Sequence, residues 1–127
     1  MPNNKLYFVI DDDKINNLVC ESVIRKADLN GKVMSFLRAE DALKYINNTS
    51  NQQPDVIFLD INMPGMDGWE FLEKYLQMPQ GKAHIFMLSS SINQGDFEKA
   101  KRYPRVLDYI VKPFSKEKLQ QSLELIA

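Results

Sequence analysis

Short, almost continuously apolar runs recur along the chain and are separated by longer segments of mixed polarity. Continuous rather than alternating apolar runs are typical of strands that are covered on both faces of a parallel sheet. The predicted strands are Leu6–Ile10, Val33–Leu37, Val56–Leu59, Ile85–Leu88 and Val106–Val111. Helices must then cover both faces of the sheet.

After each predicted strand, apolar residues recur every three or four positions, which places each set on one helical face. The sets are Ile15, Leu18, Val19 and Val23; Ala39, Ala42, Leu43 and Ile46; Trp69, Leu72 and Leu76; Phe97 and Ala100; and Leu119, Leu123 and Ile126. The fourth set is the smallest, so the helix within 93–102 is expected to be the least well anchored. Asp67 and Ser115 are predicted to cap the third and fifth helices, and Asn93 or Asp96 the fourth.

Five alternations of strand and helix predict an open α/β domain whose parallel strands are joined by right-handed crossovers, with helices on both faces. This is a doubly wound fold. The chain has 127 residues, of which 44% are hydrophobic and 26% are charged. These values are typical of one soluble globular domain, so residues 1–127 are interpreted as a single domain.

Charge and composition exclude several classes of protein. The formal net charge is −1, so no basic field is present to hold a nucleic acid. The lone Cys20 cannot form an internal disulfide and is predicted to lie in the core of a protein from a reducing compartment. Residues 1–10 hold too few apolar residues for a signal peptide or a membrane span, so a cytoplasmic location is expected.

Polar residues cluster where four of the predicted strands end. In open α/β sheets, ligands bind outside the carboxyl ends of the strands. The residues at these ends are Asp11, Asp12 and Asp13; Asp60; Ser89, Ser90 and Ser91; and Lys112 followed by Pro113. The sequence therefore predicts one polar site at this rim.

The residue types at the rim indicate phosphoryl chemistry. Several carboxylates in one pocket repel each other unless a cation intervenes, and hard oxygen ligands favour Mg²⁺, Mn²⁺ or Ca²⁺ over zinc, with Mg²⁺ the expected occupant. An aspartate such as Asp60 can attack phosphorus if the charge on the transferred group is neutralised. Lys112 can supply a positive charge to a phosphoryl oxygen, and the Ser89 hydroxyl can donate a hydrogen bond to another.

These motifs resemble those of one known family. They are Val9–Asp13, Ile57–Gly68, Met87–Ser89 and Tyr109–Phe114, which occur in this order with appropriate spacing. With them the chain resembles a receiver domain of two-component response regulators, of the stand-alone type that has no output domain.

The resemblance implies a flavodoxin-like fold with strand order 2-1-3-4-5, which brings the first and third strands together. It also implies that Asp12 and Asp60 bind the metal directly, that Asp11 acts through water, and that the backbone carbonyl of Asn62 is a further ligand. Asp13 would lie outside the pocket as a helix cap.

The resemblance further implies a signalling switch rather than an enzyme. Asp60 would be phosphorylated by a phosphohistidine on a sensor histidine kinase or a phosphotransfer protein. Ser89 would then move toward the phosphoryl group and Tyr109 would turn inward. The face formed by the fourth helix, fifth strand and fifth helix would change, and a downstream protein, which the sequence does not identify, would read that change.

Two smaller features follow from the same resemblance. Asn62 and Ser91 occupy the positions two residues beyond Asp60 and Ser89, where they could tune how fast water removes the phosphoryl group. The Lys112–Pro113 peptide bond is expected to be cis.

Three alternatives stay open at this point. A magnesium-dependent phosphatase with an aspartate nucleophile shares this chemistry, but it typically has a second aspartate where this chain has Asn62. A flavodoxin-like cofactor-binding protein shares the fold, but it needs hydroxyls and amides where three carboxylates follow the first strand. A receiver that binds its partner without phosphorylation is the third.

Overall fold

Strand and helix alternate five times in the computed structural model, which describes residues 4–90 and 92–126. The strands are β1 (Leu6–Ile10), β2 (Lys32–Phe36), β3 (Val56–Asp60), β4 (His84–Ser89) and β5 (Val106–Val111). The helices are α1 (Lys14–Ala27), α2 (Ala39–Asn47), α3 (Gly68–Leu76), α4 (Gln94–Ala100) and α5 (Lys116–Ile126). All five predicted strands are confirmed, and their ends move by no more than one residue.

The strands form one parallel sheet in the order β2-β1-β3-β4-β5, which confirms the predicted topology. Ile10 at the end of β1 pairs with Leu59 of β3. Asp60 pairs with Leu88 of β4, one residue before that strand ends. The register therefore brings the carboxyl ends of neighbouring strands to one edge of the sheet.

The core lies on both faces of this sheet. Every residue of β1 and β3 is buried, whereas the edge strand β2 is only partly covered. Helices α1 and α5 cover one face, where Ile24 and Leu119 lie in the core. Helices α2 and α3 cover the other face with Ala42 and Leu72. The central strands are thus held rigidly from both sides, which fixes the residues at their ends.

Helix α1 faces the core with a different stripe from the one predicted. Ile15 and Leu18 are 73% and 62% exposed, whereas Asn17, Cys20 and Ile24 are buried. The buried side chain of Asn17 donates a hydrogen bond to the Asp11 carbonyl. The predicted core face of α1 was therefore wrong for Ile15, Leu18 and Val19, whereas Val23 packs against the core and the burial of Cys20 is confirmed.

The other predicted apolar faces pack as expected. Ala39, Ala42 and Ile46 are buried in α2, and Trp69 and Leu72 are buried in α3. Helix α4 is the weakest of the five, since within its seven described residues, 94–100, only Ala100 is buried. Its small apolar contact with the sheet confirms the expected weak anchoring.

Side-chain caps define where several helices begin. Asp67 accepts a hydrogen bond from the Glu70 N–H, and Glu70 returns one to the Asp67 N–H. Asn93 caps α4, so the alternative cap Asp96 is excluded. The Ser115 hydroxyl accepts from the Lys118 N–H at the start of α5. No helix among the described residues has the length and apolar character that a membrane crossing requires.

Candidate functional site

Two aspartates meet where the adjacent strands β1 and β3 end. Asp11 directly follows β1 and is fully buried, and Asp60 is the last residue of β3 and is 5% exposed. Asp12 is exposed at the rim, yet one carboxylate oxygen of each of these three residues lies within 4.8 Å of the others. The acidic cluster predicted from the strand ends therefore exists.

Lys112 bridges the two buried carboxylates. Its Nζ lies 2.7 Å from Asp11 Oδ2 and 3.4 Å from Asp60 Oδ1. Lys112 follows β5, and its backbone N–H donates to the Ser89 carbonyl at 2.8 Å, which ties it to the end of β4. Four strands thus contribute to one site, as the sequence predicts.

The charges in the pocket shift two ionisation equilibria. Burial, together with the negative charge of Asp11, raises the pKa of Asp60 to about 7. Burial alone would lower the pKa of Lys112, but the hydrogen bond to Asp11 and the charge of Asp60 outweigh it, so the pKa of this lysine is raised. Lys112 therefore stays positively charged, while Asp60 ionises with difficulty unless further positive charge arrives.

The loop between β3 and α3 packs tightly against the backbone of Asp60. The Gly68 N–H donates to the Ile61 carbonyl at 2.8 Å. A Cβ at position 68 would lie only 2.4 Å from the Asp60 carbonyl oxygen, so glycine is required there. Gly65 adopts φ +75°, a left-handed conformation that favours glycine. Asn62, in the same loop, has an exposed side chain.

The predicted switch residues lie on the neighbouring strands β4 and β5. Ser89 is buried at the end of β4, and Tyr109 is half-buried on β5. The ring of Tyr109 makes an edge contact with Phe97 of α4, with their centroids 5.8 Å apart. Ser91, predicted to tune the lifetime of the phosphoryl group, lies outside the described residues.

A side chain from the first turn of α5 holds the segment that carries Lys112. The Lys112–Pro113 peptide bond is cis, as expected. The Nζ of Lys118 donates hydrogen bonds to the carbonyls of Val111 and Pro113, on either side of Lys112. These contacts fix the backbone from which the Lys112 side chain reaches into the pocket.

Two asparagines of α1 also hold Asp11, and sequence reasoning missed both. Asn16 Nδ2 donates to Asp11 Oδ2 at 2.6 Å, and Asn17 Nδ2 donates to the Asp11 carbonyl at 2.9 Å. The Asp13 N–H donates to Asp11 Oδ1 at 2.9 Å, and the Asp13 side chain caps α1 outside the cluster. Two amide side chains one turn after an acidic run were the available signal.

The donor set fits a small, hard cation. The cluster offers only carboxylate oxygens, two of them buried, and oxygen ligands of this kind bind Mg²⁺ or Mn²⁺ rather than zinc or copper. The pKa of Asp60 is raised first by burial and then by the negative charge of Asp11, which the positive charge of Lys112 only partly offsets. A divalent cation would relieve that imbalance.

Known proteins share both the sequence pattern and the fold. Residues 7–124 match the family described as the response regulator receiver domain. Protein PilG of Pseudomonas aeruginosa is 36% identical over 113 residues, covering 87% of this chain and 78% of that protein. Chemotaxis protein CheY of Listeria monocytogenes is 29% identical over 119 residues, covering 94% and 95%. The crystal structure of a two-component response regulator from Cytophaga hutchinsonii superposes with a TM-score of 0.86 at 28% identity and covers 98% of both chains.

The fold and the site together define the class of protein, which is a doubly wound domain with an acidic site at the carboxyl ends of its strands. The chain belongs to the response regulator receiver domain family. The general role of this family is regulatory, in signalling based on phosphorylation. The resemblance seen in the sequence is thereby confirmed.

Proposed function

We propose that Asp60 accepts a phosphoryl group from a phosphohistidine donor in the presence of Mg²⁺, and that the resulting aspartyl phosphate is the signal. The observation that carries this proposal is that two carboxylates and one ammonium group surround Asp60. Two further carboxylates lie within 4.8 Å of one of its oxygens, and the Lys112 ammonium lies 3.4 Å from Oδ1. This arrangement suits nucleophilic attack on phosphorus beside a cation.

In the transfer step, an oxygen of the ionised Asp60 carboxylate forms a bond to phosphorus while the bond from phosphorus to the histidine nitrogen breaks. The electron pair of the broken bond returns to the imidazole, which takes up a proton from solvent. The Lys112 ammonium forms an ion pair with one phosphoryl oxygen, and the Ser89 hydroxyl donates a hydrogen bond to another. The burial of Asp60 strengthens both interactions by excluding water.

Asp12 and Asp60 would hold Mg²⁺ directly, Asp11 would hold it through water, and the Asn62 carbonyl would complete the protein ligands. Bound there, the ion neutralises charge on the carboxylates and on the transferred phosphoryl group. Mn²⁺ satisfies the same requirements. The side chains of Asn62 and Ser91 are neutral, so neither supplies a carboxylate that would orient water toward the aspartyl phosphate.

Phosphorylation then changes the surface formed by α4, β5 and α5. Ser89 moves toward the phosphoryl group, and the ring of Tyr109 turns into the space that it leaves. Phe97 touches that ring, and Ala100 alone is buried among the described residues of α4, so this helix can shift at low cost. A downstream protein that binds this surface reads the signal by contact.

The exposed apolar stripe of α1 supports a protein as the phosphoryl donor. Ile15 and Leu18 project from the first turns of α1, directly after the acidic residues, and are mostly exposed. Apolar side chains beside a charged site fit a partner that covers the site while its histidine reaches Asp60. This stripe is the surface on which we expect a sensor histidine kinase or a phosphotransfer protein to dock.

The test of the acceptor is direct. Acetyl phosphate and Mg²⁺ are expected to add one phosphoryl group to the wild-type protein, measured by intact mass, and to add none to Asp60→Asn. An undiminished adduct in Asp60→Asn would contradict the proposal. Sustained release of phosphate from a phosphomonoester would instead favour the phosphatase, and binding of the target with no adduct would favour the phosphorylation-independent receiver.

The proposed docking surface on α1 can be tested separately. Ile15→Ala combined with Leu18→Ala is expected to slow transfer from a phosphohistidine phosphotransfer protein while leaving phosphorylation by acetyl phosphate unchanged. Leu29→Ala is a matched control, since Leu29 lies beyond the far end of α1 and is 86% exposed. Equal rates of phosphoryl transfer for the double variant and the control would exclude α1 as the docking surface.

A further inference from the structure

Asp11 Oδ2 accepts hydrogen bonds from two side chains at once. Lys112 Nζ lies 2.7 Å from this oxygen, and Asn16 Nδ2 lies 2.6 Å from it. The other carboxylate oxygen, Oδ1, accepts from the Asp13 N–H at 2.9 Å. Asp11 is fully buried, so these three donors replace the water that an exposed carboxylate would bind.

Lys112 has three N–H donors and already bridges Asp11 and Asp60, and it is expected to hold Asp11 less closely once one donor serves the phosphoryl group. In the proposed transfer its ammonium moves from the carboxylates to a phosphoryl oxygen. A buried carboxylate that loses its partner is strongly destabilised. The departure of Lys112 therefore has a cost, which depends on the donors that Asp11 retains.

We propose that Asn16 is a positioning residue that keeps Asp11 hydrogen-bonded and oriented when Lys112 moves to the phosphoryl group. This role rests on the proposed phosphorylation of Asp60. The amide remains on Oδ2 after the ammonium leaves, so the carboxylate keeps one donor on each oxygen. Because Oδ2 then has one donor instead of two, losing the Asn16 amide should cost more in the phosphorylated arrangement than in the unphosphorylated one.

The position and chemistry of Asn16 suit this role. Its backbone N–H donates to Asp13 Oδ1 at 3.2 Å in the capped first turn of α1, which fixes the stem of the side chain. The amide is neutral, so it stabilises a carboxylate without repelling a cation. Its other close neighbour is the thiol of Cys20, at 3.8 Å, and burial raises the pKa of that thiol to about 12, so no thiolate competes for the amide.

The test compares two ligands, of which only one requires Lys112 to move. Binding of Mg²⁺ alone and of the phosphoryl mimic trifluoroberyllate with Mg²⁺ is measured by calorimetry on wild type and Asn16→Leu. We expect Asn16→Leu to weaken binding of the mimic about tenfold, the effect of losing one hydrogen bond to a charged group. We expect the affinity for Mg²⁺ alone to change less than about threefold.

Two further variants complete the comparison. Asn16→Gln retains the amide donor and is expected to recover part of the affinity for the mimic. Asn47→Leu makes the same chemical change at an exposed position of α2 and is expected to match wild type for both ligands. Equal losses for both ligands in Asn16→Leu, or no loss for either, would overturn the role of Asn16.

Failure of this inference can be told apart from failure of the proposed function. If acetyl phosphate modifies Asp60 in wild type while Asn16→Leu binds the mimic normally, only the role of Asn16 is wrong. If the wild-type protein binds neither the mimic nor a phosphoryl group, both are wrong.

Discussion

The indole Nε1 of Trp69 donates a hydrogen bond to Asp96 Oδ1 at 3.1 Å and thereby joins the first turn of α3 to α4. Lys99 Nζ lies 4.8 Å from the centroid of the Trp69 ring, and Tyr103 stacks on the same ring at 5.9 Å. Trp69 follows Gly68, which packs against the backbone of Asp60. The chain's single tryptophan thus connects the loop that follows Asp60 with the helix that has the smallest apolar anchor.

Removal of this hydrogen bond should loosen α4. Asp96→Leu is expected to lower the free energy of unfolding by about 1 kcal/mol, the typical contribution of one hydrogen bond. Hydrogen exchange should become faster in 94–100 and stay unchanged in β4, because the core strand does not depend on this contact. Hydrogen exchange read by mass spectrometry distinguishes the two segments.

Asp96→Asn is the matched control, since the amide keeps an acceptor for the indole while the charge is lost. Its exchange rates in α4 should stay close to those of the wild type. If Asp96→Leu and Asp96→Asn loosen α4 equally, the charge of Asp96 at the helix start matters rather than the bond to Trp69.

Stability should depend on pH through Asp60. The pKa of Asp60 is about 7 in the folded protein, above the value of about 3.9 in an unfolded chain. The folded state therefore holds this proton more tightly, and its contribution to stability is lost as the pH rises from about 4 to about 7. At about 1.4 kcal/mol per pKa unit, Asp60→Asn should be more stable than wild type by up to about 4 kcal/mol above pH 7 and nearly equal to it at pH 4.

Denaturant unfolding at a series of pH values measures this difference. Added Mg²⁺ should reduce the advantage of Asp60→Asn, because a cation stabilises the ionised carboxylates of the wild type. A difference between the two proteins that stays constant from pH 4 to pH 8 would contradict a raised pKa for Asp60.

Gly68→Ala should damage both stability and phosphorylation. The new Cβ would lie 2.4 Å from the Asp60 carbonyl oxygen and 2.9 Å from the Ile61 Cα, so the backbone that carries the acceptor must move. We expect a loss of about 2 kcal/mol or more in the free energy of unfolding, as for other overpacked sites. The rate of modification by acetyl phosphate should fall with it.

Gly95→Ala is the control for this glycine. A Cβ at position 95, inside α4, would meet only the Asn93 side-chain oxygen at 3.2 Å. Because alanine favours a helix more than glycine does, this change should be neutral or should stabilise by up to about 1 kcal/mol. Equal losses for the two variants would show that the contact with Asp60 is not what requires glycine at position 68.

Mg²⁺ should stabilise the wild-type protein and not Asp12→Asn. A cation that binds only the folded state adds about 2.7 kcal/mol at a hundredfold excess over its Kd, and thermal unfolding detects this as a higher Tm. Asp13→Asn makes the same change one residue along the chain, at a helix cap where asparagine is equally suitable. It should keep the full response to Mg²⁺, and a response retained in Asp12→Asn would exclude Asp12 as a ligand.

Some features followed from local sequence, because each depends on neighbours along the chain. The strands are continuous apolar runs, and the caps at Asp67 and Ser115 are polar residues at helix starts. The acidic rim was predictable for a similar reason, since every parallel strand delivers its carboxyl end to the same edge. Asp11, Asp60 and Lys112 could therefore be assigned to one site before any distance was known.

Other features depend on contacts between residues that belong to different elements, which spacing along the chain does not specify. The prediction for Ile15 and Leu18 was wrong, because apolar spacing alone allowed them to face the core, whereas in the structure they are exposed and Asn17 faces inward to the Asp11 carbonyl. The position of Asn16 on Asp11 depends on the same orientation of α1.

The sequence by itself determined the order of the elements, the chemistry at the strand ends and the family. Tertiary structure alone decided that Lys112 holds Asp11 at 2.7 Å and Asp60 at 3.4 Å, and that Asn16 shares the same oxygen of Asp11. The physical reason is that residue type and spacing specify which groups reach the rim. The distances and charges among those groups are set by how sheet and helices pack, and these in turn set the pKa of Asp60.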